Sequence, residues 1–509
     1  MAEKKPRKVR GALVSPEKPT LNDFLKSRIF GQDEAIDALC NYIAVQVSGY
    51  RNQNRPLGII LLAGPSGVGK TETVELIAEY LFGKRTRLVK VECGLLKAGY
   101  AESVMVGSPG GLVGYNDEPL FSQLNLDMGA LEQYFESGKY FEKQVELLSE
   151  SILAIIAERL KIEAEIDVLK KLLNVKIQAK KDLQKDFEKI SAEIKNDEDL
   201  KLLKDFSQKM DGPIKMAERN LKRSERKAKR HFKETNSLLK LFQKNLRSAQ
   251  EKLEESSKER LDYLQELLAM FEANEARFPY SRDDFHSVIL IDEIEEISLD
   301  SLGPLIHALD KATLKLRNPK WNVPRGAPTD FRNALIFLTS NLGYEKIVRV
   351  LDPSRTIGLH PKESQISIQK SLMEIDRSLE EGKLSEQVKG ISLAAIKKHF
   401  PIKFVSRLER IVVFQPIGYK SMLSILEAIL KIYNQTGPLE LCFTEQVKNL
   451  IIYKAITESR EEGVRFLEGK LKELVLEKLA NSDFLDDGDP NKLLVADVKE
   501  GEEIFFYQK

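Results

Sequence analysis

The sequence predicts an α/β nucleotide-binding domain that is interrupted by an antiparallel coiled-coil hairpin and followed by a small α+β lid domain. Three observations predict this architecture. A glycine-rich loop separates an apolar strand from a helix at residues 58–82, and a glycine-poor stretch at residues 133–275 repeats apolar residues every three or four positions. The C-terminal part combines helical periodicity at 417–479 with two strand patterns at 492–499 and 503–507.

The glycine-rich loop has the pattern Gly-x-x-x-x-Gly-Lys-Thr and comprises Gly64, Pro65, Ser66, Gly67, Val68, Gly69, Lys70 and Thr71. It follows an apolar strand and opens a helix, which is the order that a phosphate cradle requires. Its backbone N–H groups can turn toward a β-phosphate, Lys70 can reach the β- and γ-phosphates, and Thr71 can ligate Mg²⁺. The loop therefore predicts binding of ATP and magnesium, and a chance glycine-rich turn is the alternative.

Composition limits the class of protein. The 509 residues suffice for two or three domains, and 79 basic residues nearly balance 78 acidic ones, so no overall field favours nucleic acid or a membrane. The three widely spaced cysteines, Cys40, Cys93 and Cys442, indicate neither a disulfide framework nor a zinc site. Because no apolar run approaches the ~20 residues of a membrane span, we expect a soluble, cytoplasmic protein.

The domain boundaries follow from shifts in pattern. Residues 1–19 are rich in lysine and arginine without an apolar period, which predicts a disordered basic arm. We predict a large domain formed by residues 20–132 together with 276–415. The coiled-coil insertion occupies 133–275, and the lid domain occupies 416–509.

The segment Gly31-Gln32-Asp33-Glu34-Ala35, some thirty residues before the glycine loop, resembles the entry to an AAA+ module of the Clp ATPase family. In that family this segment packs on the adenine. The family's remaining landmarks occur in the expected order along the chain. The resemblance covers about residues 21–132 and 277–509, and it implies an AAA+ P-loop fold.

Two strand ends carry the polar residues that the resemblance assigns to hydrolysis. The apolar run 288–291 ends in Asp292 and Glu293, so that Asp292 would hold the Mg²⁺ shell and Glu293 would polarise the attacking water. A simple helix cap is the alternative for this acidic pair. The apolar run 334–339 leads to Asn341, which matches the sensor-one position and would orient water against the γ-phosphate.

Two arginines match further family positions. The segment 399–414 resembles the family segment that ends in the last core strand, and Arg407 then corresponds to a finger that reaches the γ-phosphate in a neighbouring subunit. A surface ion pair is the alternative for Arg407. The tripeptide Gly463-Val464-Arg465 resembles the sensor-two motif, in which Arg465 would close the lid on the nucleotide.

Residues 106–115 resemble the Clp pore loop, with Leu112, Val113 and Tyr115 as the candidate substrate contacts. The family usually has an aromatic residue where this chain has Leu112. Leu112 still offers an apolar side chain. The tripeptide Ile357-Gly358-Leu359 resembles the loop with which some Clp ATPases dock on a separate peptidase, and ordinary packing of a loop on the lid is the alternative.

The insertion has the periodicity of a coiled coil. Of fifteen heptad positions between Val145 and Ile194, twelve are apolar, and the exceptions are Arg159, Lys176 and Lys180. Similar spacing from Phe232 to Met270 predicts the returning arm of a hairpin that projects roughly 75 Å. Breaks are expected only at 196–197 and at 211–213.

Residues 215–233 carry nine basic and two acidic residues, which we expect near the distal tip of the hairpin. This charge predicts a solvated helix face, an acidic protein partner or contacts to phosphates. The only rings of the stretch are His231 and Phe232 at its far end, and Phe232 falls on the seam, which disfavours stacking of nucleic-acid bases and favours a protein partner.

The resemblance implies an ATPase that unfolds or remodels proteins by threading them through a homo-oligomeric ring, most often a hexamer. A non-threading motor or switch, whose coiled-coil arm organises a protein or nucleic-acid partner, is the alternative.

Overall fold

Five parallel strands form the central sheet, in the order β2 (Val89–Glu92), β3 (Ser287–Asp292), β6 (Ala334–Ser340), β1 (Gly58–Ala63) and β7 (Arg410–Val413). In the computed structural model, the described residues are 19–95, 101–193, 197–274, 286–298, 302–321, 327–351, 365–458, 465–482, 493–499 and 503–509. The chain divides into a first unit, residues 1–133 with 275–509, and a second unit, residues 134–274. Among the described residues, no helix has the length and apolarity to cross a membrane.

The central strands are apolar along nearly their whole length because helices cover both faces of a parallel sheet. The two edge strands, β2 and β7, also carry exposed charged residues, namely Lys90, Glu92 and Arg410. Every residue of the central strands β1 and β6 is buried. The register of the sheet pairs Ala63 with both Ser340 and Val413, and Glu92 with Asp292, so the carboxyl ends of the strands meet at one edge.

Most helices of the large domain surround this sheet, whereas the helix Gln365–Glu380 packs on helices of the C-terminal part, with Leu372 in their core. The large domain also has a short antiparallel pair of strands, β4 (Thr313–Leu314) and β5 (Thr329–Asp330). The helices are α1 (Leu21–Lys26), α2 (Asp33–Val47), α3 (Lys70–Phe82), α4 (Ala101–Val106), α5 (Gln123–Glu136), α9 (Leu302–Lys311), α10 (Tyr344–Leu351), α11 (Gln365–Glu380), α12 (Lys383–His399) and α13 (Ile402–Val405).

The C-terminal part has its own apolar core between helices and a three-stranded sheet. Its elements are α14 (Tyr419–Thr436), β8 (Leu441–Phe443), α15 (Glu445–Glu458), α16 (Arg465–Leu471), α17 (Glu477–Ala480), β9 (Leu494–Lys499) and β10 (Glu503–Gln508). The prediction of uninterrupted helix from 417 to 479 overlooked β8, whose three residues are too few to show a strand period. It also overlooked a π-helical turn at Lys472–Leu476.

The second unit contains two long antiparallel helices, α6 (Lys139–Glu193) and α7 (Asp197–Glu254), and a shorter helix, α8 (Ser257–Asn274). The α/β fold with an inserted coiled-coil hairpin is thus confirmed. Two details of the prediction were wrong. Helix α7 continues through Gly212 and Pro213, and the returning arm breaks instead between Glu254 and Ser257.

Polar residues at the predicted apolar seam have partners on the opposite helix. Arg159 donates to Thr235 Oγ1 at 2.9 Å and to Asn236 Oδ1 at 2.7 Å, and Lys180 pairs with Asp211. Because these contacts need a specific alignment, they set the register of the hairpin. Residues 215–233 lie on the middle of α7 and begin about 27 Å from its first residue, so the prediction of a basic distal tip was wrong.

Candidate functional site

The glycine loop joins β1 to α3 at the carboxyl edge of the sheet. Lys70, the first residue of α3, is buried, and its Nζ donates to Gly64 O at 3.0 Å, Pro65 O at 2.6 Å and Asn341 Oδ1 at 2.7 Å. Gly64 has a φ of 141°, and a Cβ at this position would lie 2.5 Å from Phe414 O. Only glycine therefore fits at position 64. The Lys70 ammonium group is held among oxygen acceptors at the loop, a position that also suits binding to phosphate oxygens.

Asp292 and Thr71 form the candidate magnesium site. Asp292 Oδ1 accepts hydrogen bonds from Thr71 Oγ1 at 2.9 Å and from Thr339 Oγ1 at 2.5 Å. Among the described residues, no group of three or more His, Cys, Asp or Glu side chains forms a metal site by itself. Magnesium commonly takes one or two protein ligands and completes its shell with phosphates and water. The hydroxyl and carboxylate of this pair therefore fit a magnesium ion that accompanies a nucleotide.

Glu293 follows β3 in a left-handed conformation, with φ 55° and ψ 55°. Such a conformation in a residue other than glycine costs on the order of 1–3 kcal/mol and is concentrated at functional sites. Its N–H donates to Thr339 Oγ1 at 2.9 Å, and Asn341 Nδ2 lies 3.5 Å from Glu293 Oε1. The Asn341 amide thus lies between the Lys70 ammonium and the Glu293 carboxylate, a position suited to orienting a water molecule.

The surrounding carboxylates give the site a negative field. Burial, together with the charges of Asp292 and Glu295, raises the pKa of the Cys93 thiol to about 12. Burial and the charge of Glu72 raise the pKa of Glu75 above its usual value. Such a field favours a divalent cation at the strand ends.

Gln32 connects the segment before α2 with the residue that follows β7. The side chain is buried; its Nε2 donates to Gln415 O at 2.9 Å, and its Oε1 accepts from Gln415 N at 2.8 Å. Gly31 has a φ of 72°, and a Cβ there would lie 2.3 Å from Ser421 Oγ on α14. On the other side, Ile29 packs against Gly69 of the glycine loop. The segment therefore contacts both the loop and the start of the lid.

Comparisons with known proteins agree with this geometry. A family model described as AAA domain (Cdc48 subfamily) matches residues 218–411. Chaperone protein ClpB of Enterococcus faecalis is 41% identical over 97 residues, which cover 19% of this chain and 11% of the relative. Chaperone protein ClpC, chloroplastic, of Pisum sativum is 36% identical over 97 residues, covering 19% of this chain and 10% of the relative. These matches support a Clp-type AAA+ ATPase module in this chain.

The chain covers about a tenth of the length of these curated relatives. A closed-state reconstruction of Hsp104 with ATPγS and FITC casein has a TM-score of 0.48 and 18% identity, and it covers 96% of this chain and 51% of that chain.

The Arg407 side chain lies against α9 and the end of α13. Its Nη1 donates to Lys403 O at 2.7 Å and to Ser406 Oγ at 3.0 Å, and its Nε lies 3.7 Å from Asp310 Oδ1 on α9. None of these contacts reaches the glycine loop or Glu293. The side chain is 27% exposed, and the finger role of Arg407 stays a prediction.

The predicted pore loop presents its apolar tip to solvent. The exposed fractions of Leu112 and Val113 are 61% and 96%. Tyr115 is half-buried, and its carbonyl accepts from Asn318 Nδ2 at 2.9 Å. Leu112 and Val113, rather than Tyr115, are therefore the side chains available to a substrate.

Two predicted motifs lie partly or wholly outside the described residues. Arg465 is the first residue of α16, and its side chain is outside the described part of the chain, as are Gly463 and Val464. The docking tripeptide Ile357, Gly358 and Leu359 also lies outside it. The roles assigned to these residues stay predictions.

Thr339 is a further residue of the candidate site, and none of the sequence motifs included it. It is buried in β6, two positions before Asn341, and its hydroxyl bridges Asp292 and the Glu293 N–H. A single threonine in an otherwise apolar strand was the signal that could have identified it. Its contacts make it a positioning residue for the Asp292 carboxylate and for the backbone of Glu293.

Thr339→Val is expected to lower kcat roughly 10-fold or more, because hydrogen bonds to charged groups typically contribute ~1.5–3 kcal/mol. Binding of ATP should weaken only when magnesium is present, since Asp292 loses a donor that orients it. Titrations with and without magnesium test this, and Thr339→Ser, which keeps the hydroxyl, should restore activity. Equal losses in the valine and serine variants would instead indicate a packing role.

Proposed function

We propose that this Clp-type AAA+ module hydrolyses ATP to unfold or remodel a protein substrate within a homo-oligomeric ring, six-membered as the family resemblance implies. The observation that carries the proposal is the continuous set of contacts from Lys70 through Asn341 to Glu293, beside the pair formed by Thr71 and Asp292. These groups lie at the carboxyl edge of the sheet, where α/β proteins bind nucleotides.

Each residue has a defined part in the proposed reaction. The glycine loop and Lys70 bind the phosphates of ATP, and Thr71 and Asp292 hold Mg²⁺, which neutralises charge on the phosphates. Glu293 accepts a proton from water, and Asn341 orients that water. Arg407 of a neighbouring copy stabilises charge on the transferred phosphoryl group, and Arg465 closes the lid on the nucleotide.

The coupling of hydrolysis to movement is proposed to pass through Gln32. Its two hydrogen bonds to Gln415 join the segment beside the glycine loop to the connection between β7 and α14. A shift of this segment on nucleotide exchange would therefore be transmitted to the lid.

The second candidate function is a non-threading switch whose coiled-coil arm organises a partner. It is favoured by Leu112 at the pore-loop position that is usually aromatic, and by the hairpin forming a unit of its own. An acidic partner on the basic part of the hairpin belongs to this proposal. Docking of a Clp-type peptidase through residues 357–359 is a separate extension of the threading function.

Variants of the predicted pore loop distinguish the threading function from the non-threading switch. Leu112→Ser combined with Val113→Ser is expected to keep ATP turnover but to lower the rate of unfolding of a fluorescent model substrate at least about 10-fold, because both exposed apolar contacts are lost. Loss of fluorescence and phosphate release are measured in the same samples. Tyr115→Phe is the matched control, since that side chain is half-buried, and it should unfold the substrate normally. Unchanged unfolding by the double variant would exclude threading by this loop.

A further inference from the structure

The basic residues of α7 occupy one face of the helix. At ~100° per residue, all nine fall within an arc of about 160°, and every one of them is exposed. The buried residues of the same stretch, Ile214, Ala228 and Thr235, lie on the opposite side. The nine residues, which we call the basic face, are Lys215, Arg219, Lys222, Arg223, Arg226, Lys227, Lys229, Arg230 and Lys233.

Four arginines form the centre line of the basic face. They are spaced by four, three and four residues, so they fall within an arc of about 60° and span about 16 Å along the helix. Lysines lie on both sides of them. This spacing is that of a coiled-coil seam, but with guanidinium groups in place of apolar side chains. We call Arg219, Arg223, Arg226 and Arg230 the arginine stripe.

The hairpin does not neutralise this face itself. Among the described residues, no member of the basic face forms an ion pair, whereas Lys170 and Lys180 on α6 pair with Glu225 and Asp211. Like charges four residues apart destabilise a helix. Two carboxylates of α7, Glu225 and Asp211, are thus engaged by α6, and the exposed charge of the basic face is left available to an acidic partner.

We propose that the arginine stripe binds an acidic α-helix of a partner protein, with carboxylates at the same three- and four-residue spacing. Two helices have the same rise per residue, so equal spacing places each carboxylate opposite a guanidinium, which can bind it with two hydrogen bonds. The proposal deepens the partner-binding part of the proposed function, and it does not depend on ATP hydrolysis.

Two neighbours of the stripe favour protein over nucleic acid. Met216 is 65% exposed at the edge of the basic face and offers an apolar contact. The nearby rings of His231 and Phe232 are partly buried, and the Arg159 guanidinium lies over the Phe232 ring at 5.2 Å. These rings are therefore not available for base stacking.

The test uses the full chain without nucleotide and two helical peptides of identical composition. One peptide carries glutamates spaced by four, three and four residues, and the other carries them spaced by two, five and two. Binding is measured by fluorescence anisotropy for the native chain and for two variants of equal charge. The stripe variant replaces the four arginines by Gln, and the flank variant makes Lys215→Gln, Lys222→Gln, Lys227→Gln and Lys229→Gln.

The aligned peptide is expected to bind the native chain at least about 10-fold more tightly than the other peptide. The stripe variant should lose about 10-fold or more of this affinity, and the flank variant no more than about 3-fold. Circular dichroism and basal ATP turnover should be native in both variants, because neither set lies at the nucleotide site. If the stripe variant loses helicity, Arg226→Gln alone should still weaken binding more than Lys227→Gln alone.

Three results would overturn the proposal. They are absence of peptide binding, equal affinity for the two peptides, and equal losses of affinity in the two variants. Equal losses would indicate that the basic face acts only through its total charge. A DNA duplex of about 20 base pairs that binds more tightly than the aligned peptide would assign the face to phosphates instead. ATP turnover is measured separately from peptide binding. An absence of turnover would contradict the proposed ATP hydrolysis, and the peptide-binding result would still stand.

Discussion

Lys70→Ala is expected to lose nucleotide binding, whereas Glu293→Gln is expected to bind ATP with near-native affinity and to hydrolyse it at least about 100-fold more slowly. Lys70 places its ammonium group within the glycine loop, so its removal weakens contact with the phosphates in every state. Glu293 contacts Asn341 and is solvent-exposed, so its loss removes a proton acceptor without changing the loop. Isothermal titration and phosphate release measure the two effects.

Glu296→Gln is the matched control for this pair of variants. It makes the same change three residues further along, on an exposed carboxylate that lies in the same short helical turn. Turnover should remain native. A Glu293→Gln protein that cannot bind ATP would show that Glu293 acts in binding, and the proposed division between Lys70 and Glu293 would be wrong.

Arg407→Ala is expected to keep ATP binding and to lose turnover by about 1,000-fold or more, the effect typical of an arginine finger. Its contacts in this chain are with Asp310, Ser406 and the Lys403 carbonyl, none of which belongs to the candidate nucleotide site. Native protein mixed with the variant should lose activity in proportion to the number of mixed interfaces. Turnover and mass measurements on the same mixtures test this.

Asp310→Asn provides the control for the arginine. This change removes the charge 3.7 Å from Arg407 Nε, and we expect turnover to be kept or raised because the arginine is freer to reach a neighbour. Full specific activity of the native protein in a dilute, demonstrably monomeric sample would exclude action between subunits.

Local patterns identified much of the site because each motif is short and lies beside a buried strand. The glycine loop, the acidic pair after β3 and Asn341 after β6 each follow an apolar run that folds as a buried parallel strand. Parallel strands bring their carboxyl ends to one edge of the sheet. At this edge Lys70 Nζ donates to Asn341 Oδ1 at 2.7 Å.

The hydrogen bonds that position these residues could not be predicted from the sequence. Thr339 and Asp292 are 47 residues apart, and Gln32 and Gln415 are 383 residues apart. A buried threonine or glutamine has many potential partners in a sequence of this length. Only the packed structure specifies which donor and acceptor meet, because the insertion of the hairpin and the return of β7 bring distant segments together.

The sequence by itself determined the nucleotide-binding fold and the coiled-coil insertion, and it predicted the phosphate-binding residues, since these features depend on local spacing and apolar period. Tertiary structure decided where helices continue and which faces they expose. Gly212 and Pro213 predict a break, yet α7 continues through them because Ile214 is buried and Asp211 pairs with Lys180 across the hairpin. Packing outweighs the hydrogen bond that proline cannot donate. The structure places the basic face at the middle of the hairpin, whereas the sequence predicted it near the tip.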